Sequence, residues 1–326
     1  MGQPVAVFTD TEDLDAGPGA RLLADAGFEV RIADSRDPGV IAAAAHDAVA
    51  LIVGYARVDA DLLDRLPRVR ILATMSAGYD MVDTAEARRR GLWVTNLPDA
   101  ATEDVAVHAL ASALSLVRRL PQADEVVRSG GWNADFTELP RRAGDLTLGL
   151  LGLGRIARTL ARIAAPVFGR IAAYDPHAST AAWPGGVDRL GLDTLAGTAD
   201  ILSLHVPLTP DTHGLVDRAL LERMRPGSFL VNVARGELVD PAALLAALDS
   251  GRLAGAALDV FPVEPPPADD PLRSHPRIQL SPHSAYLSDT SRRAYVCKPA
   301  ENVIAWHRTG RPTTPVVDPA AQGATL

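Results

Sequence analysis

The chain has 326 residues, long for one domain and closer to two. Its 47% hydrophobic and 22% charged residues are an ordinary globular composition, and a net charge of −8 without any Lys/Arg block argues against nucleic acid or an anionic membrane surface as partner. No apolar run approaches the roughly 20 residues of a membrane span, the N-terminal MGQPVAVFTD is not a basic segment followed by an apolar core, and the lone Cys297 excludes an intrachain disulfide or a cysteine metal cluster, so a cytoplasmic, metal-free protein is expected.

Over the first hundred residues, apolar runs at 5–9, 28–33, 49–53, 69–74 and 93–97 predict strands. Segments with apolar residues at helical spacing lie between them at 20–26, 40–46, 60–66 and 84–90. This alternation predicts a parallel, doubly wound α/β unit, yet it contains no G-x-G-x-x-G pattern. Residues 102–120 are rich in Ala and Leu, with no charge between Asp104 and Arg118. A helix apolar on nearly all sides is expected to be buried, between domains or at a subunit interface. His108 lies within it with no partnered acid nearby in sequence, which predicts a satisfied core or interface histidine.

Residues 148–175, LGLLGLGRIARTLARIAAPVFGRIAAYD, read as strand, glycine turn, amphipathic helix, second strand and terminal acid. Gly152, Gly154 and Ala157 occupy the three positions of the dinucleotide fingerprint. The first permits the tight turn, the second lets the backbone approach a pyrophosphate, and the third lets the helix pack closely on the strand. The helix starting near Arg155 aims unpaired N–H groups and its positive dipole end at that phosphate. Asp175 follows Gly154 by about 20 positions, the spacing of the acid that binds a ribose 2′-hydroxyl and repels a 2′-phosphate, so NAD is favoured over NADP.

A second βαβ series follows, with strands expected at 201–206, 229–233, 255–260 and 278–281 and helices at 157–167, 192–196, 218–224 and 241–249. The last helical segment, 290–307, contains Pro299, which should kink or split it. The tail 312–326 is of low complexity. Three polar residues follow strand ends in this series: Arg235 after VNVA, Glu264 after LDVFPV and His283 after IQLSP. Open α/β sheets bind ligands outside the carboxyl ends of their strands, so all three can reach one cleft beside the pyrophosphate. Singly, each could be a loop residue. Jointly they offer a guanidinium fork for a carboxylate, an imidazole to move a proton and an acid to orient it, the parts that interconvert a 2-oxo acid and a 2-hydroxy acid.

The chain resembles the D-isomer-specific 2-hydroxyacid dehydrogenase family over essentially its whole length. The matching motifs are SAGYDMVD (76–83), LGLLGLGRIA (148–157), LHVPLTPDTHGLVD (204–217), NVARGELVD (232–240), ALDVFPVEPPP (257–267) and SPHSAYLS (281–288). The resemblance implies that Arg235 binds substrate and polarises its carbonyl, that His283 is the general acid/base and that Glu264 pairs with it. The N–H groups of the Ser76, Ala77 and Gly78 loop would grip the substrate carboxylate. The implied contacts to NAD are Thr102, Gly152, Gly154, Arg155, Ile156, Asp175, His205, Pro207, Thr212, Val233, Ala234, Asp259, His283 and Ser284, with Asp259 facing the nicotinamide amide.

The resemblance also implies a fold of two doubly wound parallel-sheet domains, in which a Rossmann cofactor domain (101–286) is inserted into a discontinuous flavodoxin-like substrate domain (1–100, with the return segment and tail 287–326). A hinged cleft that closes over substrate and a homodimer built mainly through the cofactor domains are part of the same expectation. TEDVAVHAL, the following GW and Tyr286 look most like the branch containing the C-terminal binding proteins, which supplies an alternative, an NADH-responsive binding protein. The sequence departs from the family pattern at Val107, where relatives carry an acid, and Ala77 stands where phosphite dehydrogenases have a lysine.

Overall fold

In the computed structural model, which describes residues 2–11, 14–136 and 138–319, the apolar runs of the first hundred residues form five strands. In chain order these residues give β1 (Val5–Phe8), α1 (Gly17–Asp25), β2 (Glu29–Ile32), α2 (Pro38–Ala45), β3 (Ala50–Val53), α3 (Ala60–Asp64), β4 (Ile71–Thr74), α4 (Thr84–Arg89) and β5 (Trp93–Thr95). Side-chain caps set several helix starts: Asp37, Asp59 and Asp83 each accept N–H bonds from the first turn of α2, α3 and α4.

The chain continues through α5 (Thr102–Arg118), α6 (Leu120–Arg128), β6 (Thr147–Leu151), α7 (Arg155–Ala164), β7 (Arg170–Tyr174), β8 (Val187–Arg189), α8 (Leu192–Thr198), β9 (Ile201–Leu204) and α9 (Arg218–Arg223). After these come β10 (Ser228–Asn232), α10 (Pro241–Asp249), β11 (Leu253–Leu258), α11 (Pro271–Ser274) and β12 (Ile278–Leu280). It ends with α12 (Asp289–Thr309) and β13 (Pro315–Val317). By contacts the chain forms two units, Met1–Ala101 with Leu287–Leu326, and Thr102–Tyr286.

The first unit's sheet has the order β2-β1-β3-β4-β5, all parallel, with β13 added antiparallel on β5. Strands β1, β3 and β4 are buried at every position, as parallel strands covered on both faces must be. One face packs Val7, Leu51 and Leu72 against α2 and α3, and the other packs Phe8, Ile52 and Ala73 against α1 and α12. The second unit's sheet is parallel throughout, in the order β8-β7-β6-β9-β10-β11-β12. Its order reverses at β6/β9, the switch point at which such sheets open a crevice. Leu151, Leu204 and Leu230 pack one face, while Leu150, Phe229 and Val231 pack the other against α5 and α7. Among the described residues no helix is long and apolar enough to cross a membrane.

Two features depart from the sequence expectation. α12 continues through the buried Pro299 as one helix instead of splitting. Val296, Cys297, Ala300 and Val303 seat it on the first unit's core, which offsets the roughly 3 kcal/mol an interior proline costs. Within the single chain α5 buries Val105, Ala106, Ala109, Ala113 and Leu116, and Val107 is 50% exposed. The short edge strands β8 and β13 have no strong period, and α6 buries no residue; none of the three was anticipated, and of the low-complexity tail, residues 320–326 lie outside the described residues.

A polar staple joins α12 to β13. The buried Asn302 Oδ1 accepts from Thr313 N (2.9 Å), Thr313 Oγ1 (2.7 Å) and Thr314 N (3.0 Å), while Nδ2 donates to Thr314 Oγ1 at 3.0 Å. Thr314 Oγ1 also donates to Asn96 O at 2.6 Å, and Asn96 Nδ2 donates to Ala77 O at 2.7 Å. Asn302→Ala removes the acceptor of the part-buried Thr313 and Thr314 N–H groups, so it should lower unfolding stability by about 1–2 kcal/mol in urea titration, more than an exposed Asn→Ala change.

Candidate active site

The turn after β6 has one position, Gly152, that admits no side chain. Gly152 has φ +94°, and a Cβ there would meet His205 O at 2.7 Å. At Gly154, which caps α7 at φ −70°, a Cβ would meet nothing within 4 Å: the space in front of the helix start is open. α7 itself turns Ala157, Leu160, Ala161 and Ala164 to the core and leaves Arg155 and Arg158 outside, with Ile156 half-buried against the same core. A backbone cradle at a helix N-terminus beside an open space fits a pyrophosphate.

Asp175 closes the other side of the turn. Its Oδ2 accepts Leu153 N at 2.8 Å, and Oδ1 accepts His177 N at 2.8 Å and Ala178 N at 3.0 Å. Burial opposes its ionised form, but the three backbone N–H groups outweigh it and hold the pKa below the usual carboxylate value.

Further along the same sheet edge, the buried Asn232 at the end of β10 shapes the turn that carries Arg235. Asn232 Oδ1 accepts Ala234 N at 3.1 Å, and Nδ2 donates to Arg235 O at 2.8 Å. Gly236 follows because a Cβ there would lie 2.0 Å from Phe261 C. After β11, Glu264 Oε1 accepts Phe261 N at 2.9 Å, and Oε2 lies 2.6 Å from His283 Nδ1. Glu264 is half-buried, which favours its neutral form. The hydrogen bond and charge of His283, the Phe261 N–H and the charge of Arg235 together overcome this and hold its pKa below the usual value.

His283 adopts φ +49°, a left-handed conformation that costs a non-glycine residue about 1–3 kcal/mol. Asp259 supports it. His283 N donates to Asp259 O at 2.7 Å, Ser284 N to Oδ1 at 2.9 Å and Ala285 N to Oδ2 at 2.9 Å. The Tyr286 ring stands edge-on to the imidazole, with centroids 6.1 Å apart.

The remaining sequence-predicted residues divide by what their polar atoms already do. His205 Nε2 is 2.9 Å from Ser203 Oγ. Thr212 Oγ1 donates to Pro207 O at 2.6 Å and accepts from Thr209 N at 2.8 Å, which closes the loop after β9 on itself. Val233 and Ala234 are half-buried against the two core faces, and Thr102 is half-buried at the start of α5. Both Asp259 oxygens are committed to the 281–285 loop, a support role that the resemblance did not anticipate.

In the first unit, Ser76 Oγ donates to Gly78 O at 2.6 Å and Thr74 Oγ1 to Ser76 O at 3.1 Å; among the described residues the N–H groups of Ala77 and Gly78 meet no acceptor. Asn232 was missed by sequence reasoning. Its signal was a polar residue ending the otherwise apolar strand SFLVN.

The model of the D-isomer specific 2-hydroxyacid dehydrogenase NAD binding domain matches residues 110–285. The chain belongs to the D-isomer-specific 2-hydroxyacid dehydrogenase family. It is therefore an oxidoreductase acting on the CH–OH group of 2-hydroxy acids, with a nicotinamide-dinucleotide domain in its second unit. It is 39% identical over 255 residues to the glyoxylate reductase of Korarchaeum cryptofilum, covering 77% of each chain. Among solved structures it is similar to the NADPH-dependent glyoxylate/hydroxypyruvate reductase of Sinorhizobium meliloti in complex with NADP and malonate, with TM-score 0.87, 33% identity and 98% of each chain covered. It is also similar to the D-lactate dehydrogenase of Aquifex aeolicus complexed with NAD and lactic acid, with TM-score 0.84, 27% identity and coverage of 93% of this chain and 95% of that one.

Desolvation lowers the His205 pKa from 6.5 to about 4. The unfolded chain therefore takes up a proton below about pH 6.5 that the folded chain refuses until about pH 4. Stability should fall across that window by about 1–3 kcal/mol on account of this ring, and below it no further loss comes from this group. Thermal unfolding of His205→Gln followed across the same window should show a correspondingly shallower decline.

Proposed function

We propose that this protein is an NAD-dependent dehydrogenase that interconverts a small 2-oxo acid and its D-2-hydroxy acid, with Arg235 binding the substrate and His283 and Glu264 acting as the acid/base pair. The observation that carries this reading is the 2.6 Å contact of His283 Nδ1 with Glu264 Oε2, on the strand edge that also carries the glycine turn. Glu264, held ionised, accepts the hydrogen bond of His283 Nδ1–H, so the proton that the protonated ring can transfer is the one on Nε2. In reduction Nε2–H gives its proton to the substrate carbonyl oxygen; in oxidation Nε2 takes the hydroxyl proton back. The Arg235 guanidinium offers a planar fork for the substrate carboxylate. The free N–H groups of Ala77 and Gly78, with Ser76 bracing their loop, are the further carboxylate donors this reading assigns.

The open cradle at Gly152, Gly154, Arg155 and Ile156 fits a dinucleotide pyrophosphate, and Thr102, His205, Pro207, Thr212, Val233, Ala234 and Ser284 are assigned to the rest of the cofactor. When bound, the nicotinamide dinucleotide supplies or accepts the hydride. The Asp175 carboxylate favours NAD, because its charge would repel a 2′-phosphate. The resemblance adds a cytoplasmic homodimer to this proposal.

Glyoxylate, hydroxypyruvate and pyruvate assayed with NADH by nicotinamide absorbance should reveal a turned-over substrate. His283→Ala should then lose about 10²–10⁴-fold in kcat. Glu264→Gln, which removes the carboxylate that orients the imidazole through Nδ1–H, should lower kcat about tenfold or more while KM changes little. No turnover, with NADH-dependent self-association retained, would favour the binding-protein alternative instead. Asp175→Asn keeps the acceptor for Leu153 N and should lower the NADH/NADPH ratio of kcat/KM by about tenfold; an unmodified protein that already prefers NADPH overturns the NAD assignment.

A further inference from the structure

Asp259 is 2% exposed, and besides the two N–H groups it accepts the Ser281 hydroxyl at Oδ1, 2.5 Å away. A serine hydroxyl has one proton, and a carboxylate can only accept. The Ser281 proton is therefore committed to Asp259, which leaves Ser281 Oγ as an acceptor. The group that meets it is His108, whose Nε2 lies 3.1 Å from Ser281 Oγ and 3.8 Å from Asp259 Oδ1. The direction of the chain follows: His108 Nε2–H donates to Ser281 Oγ, and Ser281 Oγ–H donates to Asp259. His108 comes from α5, far from Ser281 in sequence, and its imidazole is 27% exposed.

We infer that His108 is a positioning residue for His283, acting through Ser281 and Asp259. The loop from Ser281 to Ala285 is attached to Asp259 on both sides of His283, by the Ser281 hydroxyl before it and by the Ser284 and Ala285 N–H groups after it. The hydroxyl is the one attachment that can rotate away. A donor at 108 occupies the lone pair that the hydroxyl would otherwise turn to water, and so keeps its proton on Asp259. The left-handed conformation of His283 has to be held from both sides, and small displacements of an acid/base group cost rate more than binding.

The inference rests on the reading of His283 as the acid/base group, so the test has one arm that needs no turnover. Histidine side chains labelled with ¹⁵N report each ring's tautomer, and His108→Gln and His283→Ala spectra assign the two resonances. His108 should be protonated on Nε2, and Ser281→Ala should shift its signal. His108→Leu should broaden or split the His283 signal, and His108→Gln, which restores an N–H near the same place, should return it to a single sharp line. A His108 ring protonated only on Nδ1, or a His283 signal indifferent to His108→Leu, overturns the proposal whether or not a substrate has been found.

In the kinetic arm, His108→Leu should lower kcat about tenfold with KM for the 2-oxo acid within about twofold, since Arg235 is carried by a different turn. His108→Gln should recover most of the loss, and His108→Leu should cost little more once Ser281→Ala is present. Equal impairment by Leu and Gln, or additive losses with Ser281→Ala, would mean that the ring only fills space. Failure of the unmodified protein to turn over any 2-oxo acid counts against the proposed function alone and leaves the spectroscopic arm to decide the role of His108.

Discussion

The site depends on one constraint of the second unit: its seven strands run parallel, so every loop that follows a strand emerges on the same edge. Residues as distant in sequence as Gly152 and His283 are brought to that edge because β6, β7, β9, β10, β11 and β12 end there in register. The order reversal at β6/β9 opens the edge where the glycine turn lies, and the Arg235, Glu264 and His283 turns follow on β10, β11 and β12. The parallel arrangement in turn requires both faces to be covered, which is why these strands are apolar at almost every position.

A strand edge supplies direction but not precision, and the precision comes from buried polar groups. Asp175, Asn232 and Asp259 each stand at or just beyond the end of a strand and bind backbone N–H groups of a turn. Asn232 and Asp259 are almost fully enclosed, and a buried carboxylate or amide left unpaired costs several kcal/mol. The turns are therefore held in the conformations that satisfy these groups. The same logic operates in the first unit, where Asn302, Thr314 and Asn96 form a chain of side-chain bonds that ends on the carbonyl of Ala77.

Much of this was legible in the sequence. The strands, the doubly wound class, the glycine turn and the placement of Arg235, Glu264 and His283 after strand ends all follow from short-range periodicity and from the fixed geometry of βα turns. The departures share a physical cause. Pro299 reads as a helix breaker because local rules see the lost N–H bond and the ring clash, not the core that α12 covers. β8 and β13 are three residues long and gain their pairing from a neighbouring edge, so they leave no periodic signal. The partners that satisfy His108 are likewise invisible to a local reading, because the acid and hydroxyl come from just after β11 and β12.

By itself, then, the sequence determined which chemistry the chain can carry: which residues can move a proton, hold a carboxylate or admit a phosphate, since these properties belong to residue types and their local spacing. Tertiary structure alone decided which groups meet and in which protonation geometry. The Nδ1 contact of His283 with Glu264, the commitment of both Asp259 oxygens and the donor at His108 each join residues from separate elements. Such pairings depend on packing distances that no local pattern encodes.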